Sequence, residues 1–304
     1  MNTTISAAHV RKAVGIDDIP GNILHRIEED QLQYVPLTLE EYNQYLLTFL
    51  RTLDDDLIVA GAYRKKSWNS GWNENLQEWR QTGDLDSLIP KYHNKHTVAK
   101  LNGDIIHTIT PWFDYKWHSY IVDTILSKHL DVFPAQVVEI GCGTGYHLFR
   151  QQQQFPQHNY LGLDFAKSSQ QIIQGVNQPG VSGAYFDYLK PSLDTSLKDA
   201  VVYSVASLEQ IGESYHEFLR YIIEQRPRMC IHLEPIAEVF NPQSNLLDYL
   251  HVKYIQKRKY LHGYLTTLRS LEALGLIRIH NVRRLHYGSR FLEGHTLIQW
   301  SCRK

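Results

Sequence analysis

The sequence predicts an α/β fold with a doubly wound, mostly parallel sheet. Three observations predict it. From about residue 111 onward, short β-rich runs alternate with amphipathic helical runs; the connections between them are short; and a loop with glycine at every second position, GCGTG, joins a strand-like run to a helix-like one. A parallel pair needs a crossover, and the helical runs between the strands supply it.

Taken in order, the first 110 residues read as helical with little β signal, and form an expected α-helical lid or cap over residues 1–110. TLEEYNQYLLTFLRTL opens with Thr38 and Glu41 in capping-box spacing and continues with Tyr42, Tyr45, Leu46, Phe49, Leu50 and Leu53 at helical spacing. SWNSGWNENLQEWRQTG then gathers Trp68, Trp72 and Trp79 on a short helix that Gly83 ends. Such a cluster serves either as a small core or as a substrate wall, with Trp72 the wall candidate.

The second part, residues 111–304, carries the alternation. FDYKWHSYIVDTILSKHL reads as helix, QVVEIG as strand, YHLFRQQQQF as helix, YLGLDF as strand, AKSSQQIIQG as helix and GAYFDYL as strand. DAVVYSVA (strand), SYHEFLRYIIEQ (helix) and RMCIHLEP (strand) follow. A long helical stretch forms an insertion at about 236–275. LIRIHNVRRLHYG and EGHTLIQWSC then bring the strands to seven, and their adjacency predicts an antiparallel pair at the sheet edge.

Composition narrows the function classes. Of 304 residues, 43% are hydrophobic, which suffices for a large core, and 31 Lys and Arg against 32 Asp and Glu leave a formal net charge of -1. No overall electrostatic grip on nucleic acid or anionic lipid is expected. Cys142, Cys230 and Cys302 are scattered and odd in number, so free thiols in a reducing, cytoplasmic setting are expected rather than a disulfide framework. The N-terminus lacks a signal-peptide pattern, and no run is long and apolar enough to span a membrane. Nothing in the sequence fixes an oligomeric state.

The glycine loop narrows them further. A dinucleotide fingerprint needs a third glycine inside the first helical turn, where this chain has Tyr146, and no Lys-Ser/Thr follows to make a phosphate-cradling loop. The glycines stand instead at Gly141, Gly143 and Gly145, behind Glu139. This E-x-G-x-G-x-G pattern resembles motif I of the class I S-adenosylmethionine-dependent methyltransferases, and the resemblance covers residues 114–304. It implies a Rossmann-like sheet, S-adenosyl-L-methionine as cofactor, and a loop whose missing Cβ atoms let its backbone lie against the methionine and ribose. By the same resemblance Asp164, ending YLGLDF, holds the ribose hydroxyls. Phe165 flanks the adenine, Asp187 in GAYFDY meets its amino group, and Tyr188 belongs with these cofactor residues.

Methyl transfer to a hydroxyl or amine needs the acceptor atom held near the methyl carbon and a proton removed. The resemblance directs attention to the ends of the fourth and fifth strands. There Leu208-Glu209-Gln210-Ile211 stands where the family often has L-E-H-I, Gln210 replacing the histidine, and Glu234 ends IHLEPI. Glu209 and Glu234 read either as a catalytic carboxylate pair or as capping groups. His251, Tyr254 and Arg258, at i, i+3 and i+7, share a helical face. They either line an acceptor pocket, with His251 as base and Arg258 gripping an anion, or form a satisfied core network. His295 stands at the pocket mouth or begins an edge strand.

The Lys253, Lys257, Arg258, Lys259 cluster reads as a solvated face, and His93 and His96 lack the further ligands of a metal site, so no metal is expected. The resulting expectation is methylation of a small-molecule acceptor at oxygen or nitrogen, such as a bacterial natural product or sugar-like metabolite. The alternatives are a cofactor-binding regulatory protein without transfer, and an aminopropyl-type transferase of the same fold.

Overall fold

The computed structural model describes residues 2–93, 96–130 and 136–303. The first part contains β1 (Thr3–Thr4), α1 (Ala7–Val14), α2 (Gly21–Asp30), β2 (Gln33–Pro36), α3 (Leu39–Asp54), α4 (Lys65–Thr82), β3 (Val98–Leu101) and β4 (Asp104–Thr108). The capping box of α3 is formed: Thr38 Oγ1 accepts from Glu41 N at 3.3 Å, and Glu41 Oε2 accepts from Thr38 N at 2.8 Å.

The purely helical reading of residues 1–110 needs correction. Their short strands build a five-stranded sheet of order β1-β2-β4-β3-β11, completed by β11 (Tyr287–Gly288) from far along the chain. The strands are two to five residues long, too short for period-2 alternation to stand out. One signal was available: Asn102-Gly103 between VAKL and DIIHT. Both residues have positive φ, 53° and 97°, as a two-residue hairpin of the type favoured by strand twist requires.

The main sheet follows α5 (Phe113–Leu130). It comprises β5 (Gln136–Ile140), α6 (Tyr146–Gln154), β6 (Asn159–Asp164), α7 (Lys167–Val176), β7 (Val181–Tyr185), β8 (Val201–Val205), α8 (His216–Gln225) and β9 (Met229–Glu234). After α9 (Leu246–Arg258) and α10 (Tyr264–Ala273) come β10 (Ile277–Arg284) and β12 (Thr296–Cys302). The seven-stranded order is β10-β12-β9-β8-β5-β6-β7. Strands β5 to β9 pair in parallel, and β12 lies antiparallel between β9 and β10, so the expected antiparallel edge pair is present. LIRIHNVRRLHYG divides, because β11 leaves the main sheet to pair with β3.

Alternate residues of each strand feed two cores. Val137, Tyr160, Tyr203 and Leu233 pack with α5, α6 and the N-terminal residues Ile5, Val10, Ile23 and Ile106. Val138, Leu161, Val202 and Cys230 pack with α8 and α10 through Phe218, Leu219, Tyr264 and Leu268. The N-terminal residues thus share a hydrophobic core with the sheet and are not a layer set apart from it. Helix α4 lies along α7: a Cβ at Gly175 would fall 2.8 Å from the Trp79 ring, and Ser168 Oγ donates to the Asn69 carbonyl at 3.1 Å. This packing carries the first turns of α4 over the carboxyl ends of the parallel strands.

Candidate cofactor and acceptor site

At those strand ends lies a cavity of about 600 Å³, walled by the glycine loop, the turn after β8, α4 and the end of α9. Gly141, Gly143 and Gly145 have φ of +75°, +55° and +74°, a region that residues with a side chain rarely adopt. Gly141 N and Cys142 N both donate to the Leu163 carbonyl, at 2.7 and 3.1 Å, tying the loop to β6. Gly145 caps α6 and, unlike Gly141 and Gly143, does not line the cavity.

Asp164, 5% exposed, also lines it. Its Oδ2 accepts from Gly143 N at 2.9 Å and its Oδ1 from Ala166 N at 2.8 Å, so it shapes the loop while the carboxylate keeps acceptor capacity to spare. Burial raises its pKa to about 6, against the opposing pull of those two backbone bonds. Glu139 Oε1 meets His147 Nδ1 at 2.8 Å, while Glu139 Oε2 is buried without a hydrogen-bond partner. Phe165, Asp187 and Tyr188 line the same space. Asp187 pairs with Lys65, whose ammonium lies 5.5 Å from the Phe165 ring centre. Tyr188 is a brace as well as a wall, its hydroxyl donating to the Ile140 carbonyl at 2.9 Å.

Of the acceptor-side candidates, Trp72, Glu209 and Arg258 reach the cavity. Trp72 lies on the glycine loop, its Cζ2 3.0 Å from where a Cβ on Gly143 would be, and stacks on Trp68 at 5.5 Å. Glu209 accepts from Gln210 Nε2 at 2.7 Å, and burial, then the neighbouring Glu234 carboxyl, pushes its pKa up to about 8.

Four candidates lie outside the cavity lining. Glu234 sits below it: Oε1 accepts from Ser204 Oγ, Ser207 N and Leu208 N at 2.8 to 3.2 Å, and Oε2 from Glu209 N at 3.2 Å. Its two oxygens accept from three backbone N–H groups of the turn after β8, the geometry of the capping alternative. Burial raises its pKa to about 7 against the pull of those four donors, so of the two buried carboxyls Glu234 is the first to ionise. His251 is buried against Phe240 and Phe49, 5.2 and 6.0 Å between ring centres, with both ring nitrogens unpartnered. Burial, then Lys100 and Arg284, lowers its pKa to about 2.

Seven residues of helix rise about 10 Å, so His251 and Arg258 share a face of α9 while only its last turn borders the cavity. Tyr254 accepts from Arg258 Nη1 at 3.2 Å behind that wall. His295 packs at a tilt against Tyr287 and His118, 4.3 and 5.0 Å between ring centres, next to the site rather than in it. Arg64, Lys65, Tyr92, His147 and Tyr260 line the cavity without having been singled out by sequence. Only AYRKKSW carried a signal, a run of cations beside the first tryptophan.

No family model matches the chain. Over 100 residues it is 25% identical to the tRNA U34 carboxymethyltransferase of Sulfurimonas denitrificans, a match covering 33% of this chain and 28% of the relative. The chain therefore matches less than a third of the length of that curated relative. Among solved structures it is similar to the N-methyltransferase NodS of Bradyrhizobium japonicum in complex with S-adenosyl-L-homocysteine. The TM-score there is 0.45 at 13% identity, over 59% of this chain and 84% of that one. It is also similar to the plantazolicin methyltransferase BpumL, with TM-score 0.46, 13% identity, and coverage of 80% of this chain and 99% of that one. In its mostly parallel seven-stranded sheet and its E-x-G-x-G-x-G loop, the chain resembles the class I S-adenosylmethionine-dependent methyltransferases.

Proposed function

We propose that the protein uses S-adenosylmethionine to methylate a hydroxyl or amine of a small-molecule acceptor. The observation that carries this reading is the meeting of the left-handed glycine loop, Asp164 and Glu209 on one cavity. The wall fits the cofactor. Asp164 keeps acceptor capacity for hydroxyl groups, and the orphaned Oε2 of Glu139 suits a cationic donor such as an ammonium. When bound, S-adenosylmethionine supplies an activated methyl group on a sulfonium.

The chain's own residues then have three tasks. Asp164 and Glu139 hold polar and cationic groups against the loop. Helix α4, with Trp72, covers the cavity and excludes water. Glu209, the one base candidate of three that lines the cavity, takes the acceptor's proton onto its carboxylate. A near-neutral chain supports a small acceptor over a nucleic acid, although the curated relative acts on tRNA. Among the described residues no helix is long and apolar enough to cross a membrane, and the unpaired cysteines support a reducing, cytoplasmic setting.

Calorimetric titration with S-adenosylhomocysteine tests the cofactor reading. Asp164→Ala is expected to weaken binding by ~2 to 3 kcal/mol, since hydrogen bonds to an ionised acceptor are the stronger kind. Wild-type affinity in the mutant, or no binding by the wild type, would sink the assignment. Binding with no methyl transfer to any acceptor would favour a cofactor-binding regulatory protein instead.

A further inference from the structure

Two cations in the cavity wall have no anion of their own. Arg64, immediately before α4, and Arg258, the last residue of α9, both line the cavity. Arg64 donates from Nη1 to Gln210 Oε1 at 2.8 Å, and its guanidinium sits 4.7 Å from the Trp68 ring centre. Arg258 lies 4.9 Å from the Tyr260 ring centre and bonds to the Tyr254 hydroxyl, while its Nε is buried with no partner. Among the described residues neither arginine forms an ion pair, whereas Lys65 next to Arg64 is matched by Asp187.

The one carboxyl that both arginines bear on, Glu209, accepts from Gln210 Nε2 and forms an ion pair with neither, so even when ionised it leaves one positive charge of the two unmatched. A guanidinium does not shed its proton, so this part of the wall stays cationic. Each guanidinium rests against an aromatic ring that holds it in place in advance, and donors left over in a partly desolvated wall call for a planar or tetrahedral oxyanion.

We propose that the acceptor carries a carboxylate or phosphate group, which Arg64 and Arg258 bind while Glu209 faces its reacting hydroxyl or amine. This rests on the methyl-transfer reading and names the acceptor's class. Gln210 has a definite part in it: its amide oxygen positions Arg64 and its amide nitrogen donates to Glu209, linking the anion site to the base.

The test uses the full chain saturated with S-adenosylhomocysteine and titrated with phenyl phosphate, benzoate and benzyl alcohol. At least one anion is expected to bind and the neutral alcohol not, and the stronger anion identifies the group as phosphate or carboxylate. Arg64→Met and Arg258→Met are each expected to weaken anion binding roughly tenfold or more while leaving S-adenosylhomocysteine affinity within about twofold. Arg258→Lys, which keeps the charge and loses the fork, is expected to recover part of the loss. Unchanged anion binding in both Met variants, equal binding of the alcohol, or no anion binding at all would overturn the proposal and leave the cofactor reading standing. Loss of S-adenosylhomocysteine affinity in the variants would also overturn it, by assigning the arginines to the cofactor's own carboxylate. Failure of S-adenosylhomocysteine to bind the wild type would overturn the parent reading instead.

Discussion

Glu209→Gln is expected to lower kcat by roughly 10² to 10⁴-fold while S-adenosylhomocysteine affinity stays near wild type, the signature of a lost general base. A base must be ionised to accept a proton. With the Glu209 pKa raised to about 8, wild-type turnover should fall as pH drops through that value, and the Gln variant should lack this limb. Stability gives an independent readout with the opposite slope. The folded-state pKa lies above the ordinary value of 4.5, so the fold favours the protonated carboxyl. That contribution is complete below about 4.5 and is lost as pH rises through about 8. The variant's melting temperature should therefore gain on the wild type across this window and level off above it. Glu234→Gln should act differently, loosening the turn that its four donors define, and His251→Asn should leave the pH limb of turnover unchanged. A Glu209→Gln enzyme that turns over like wild type would remove Glu209 from the chemistry.

The contrast between these three residues shows how far the sequence reaches. Period and loop chemistry made β5 to β9 and the glycine loop legible, because each shows its pattern within a short run of sequence, and the antiparallel edge pair followed from two such runs lying close together in the chain. The small N-terminal sheet was illegible for the converse reason: β3 finds its outer partner in β11, nearly two hundred residues away, and two paired residues leave no pattern. Glu209 and Glu234 look alike as acidic residues at strand ends. Only the fold shows that one is enclosed by four donors and the other lines the cavity. The helical rule correctly gave His251 and Arg258 one face, but a face is not a depth, and just the end of α9 reaches the cavity. Arg64 had no periodic signal at all. Its relevance comes from the docking of α4 on α7, which is a tertiary fact.

That docking raises the question of how firmly the N-terminal residues are bound to the sheet, and Asp123 supplies a measurement. It is fully buried on α5, a helix whose residues are buried on nearly every side. Arg26 of α2 reaches Oδ2 at 2.7 Å, and Arg150 of α6 grips both oxygens, with Nη2 at 2.8 Å and Nε at 3.0 Å. Burial alone would raise the carboxyl's pKa; the two guanidiniums, Arg150 first, overcome that and hold it at about 2. Asp123→Ala leaves two cations in a dry interior without their anion, and is expected to destabilise the fold by ~3 to 5 kcal/mol in urea unfolding. In the wild type the carboxylate's contribution is complete above its ordinary value of 3.8 and is lost only as pH falls through about 2, so the mutant's deficit should be constant across neutral pH. Since one arginine belongs to α2 near the N-terminus and the other to the helix that follows the glycine loop, a shared core predicts a single cooperative transition in both proteins. Two separated transitions, or a deficit below ~1 kcal/mol, would show that the N-terminal residues unfold apart from the sheet and that α4 covers the cavity as a loosely held flap.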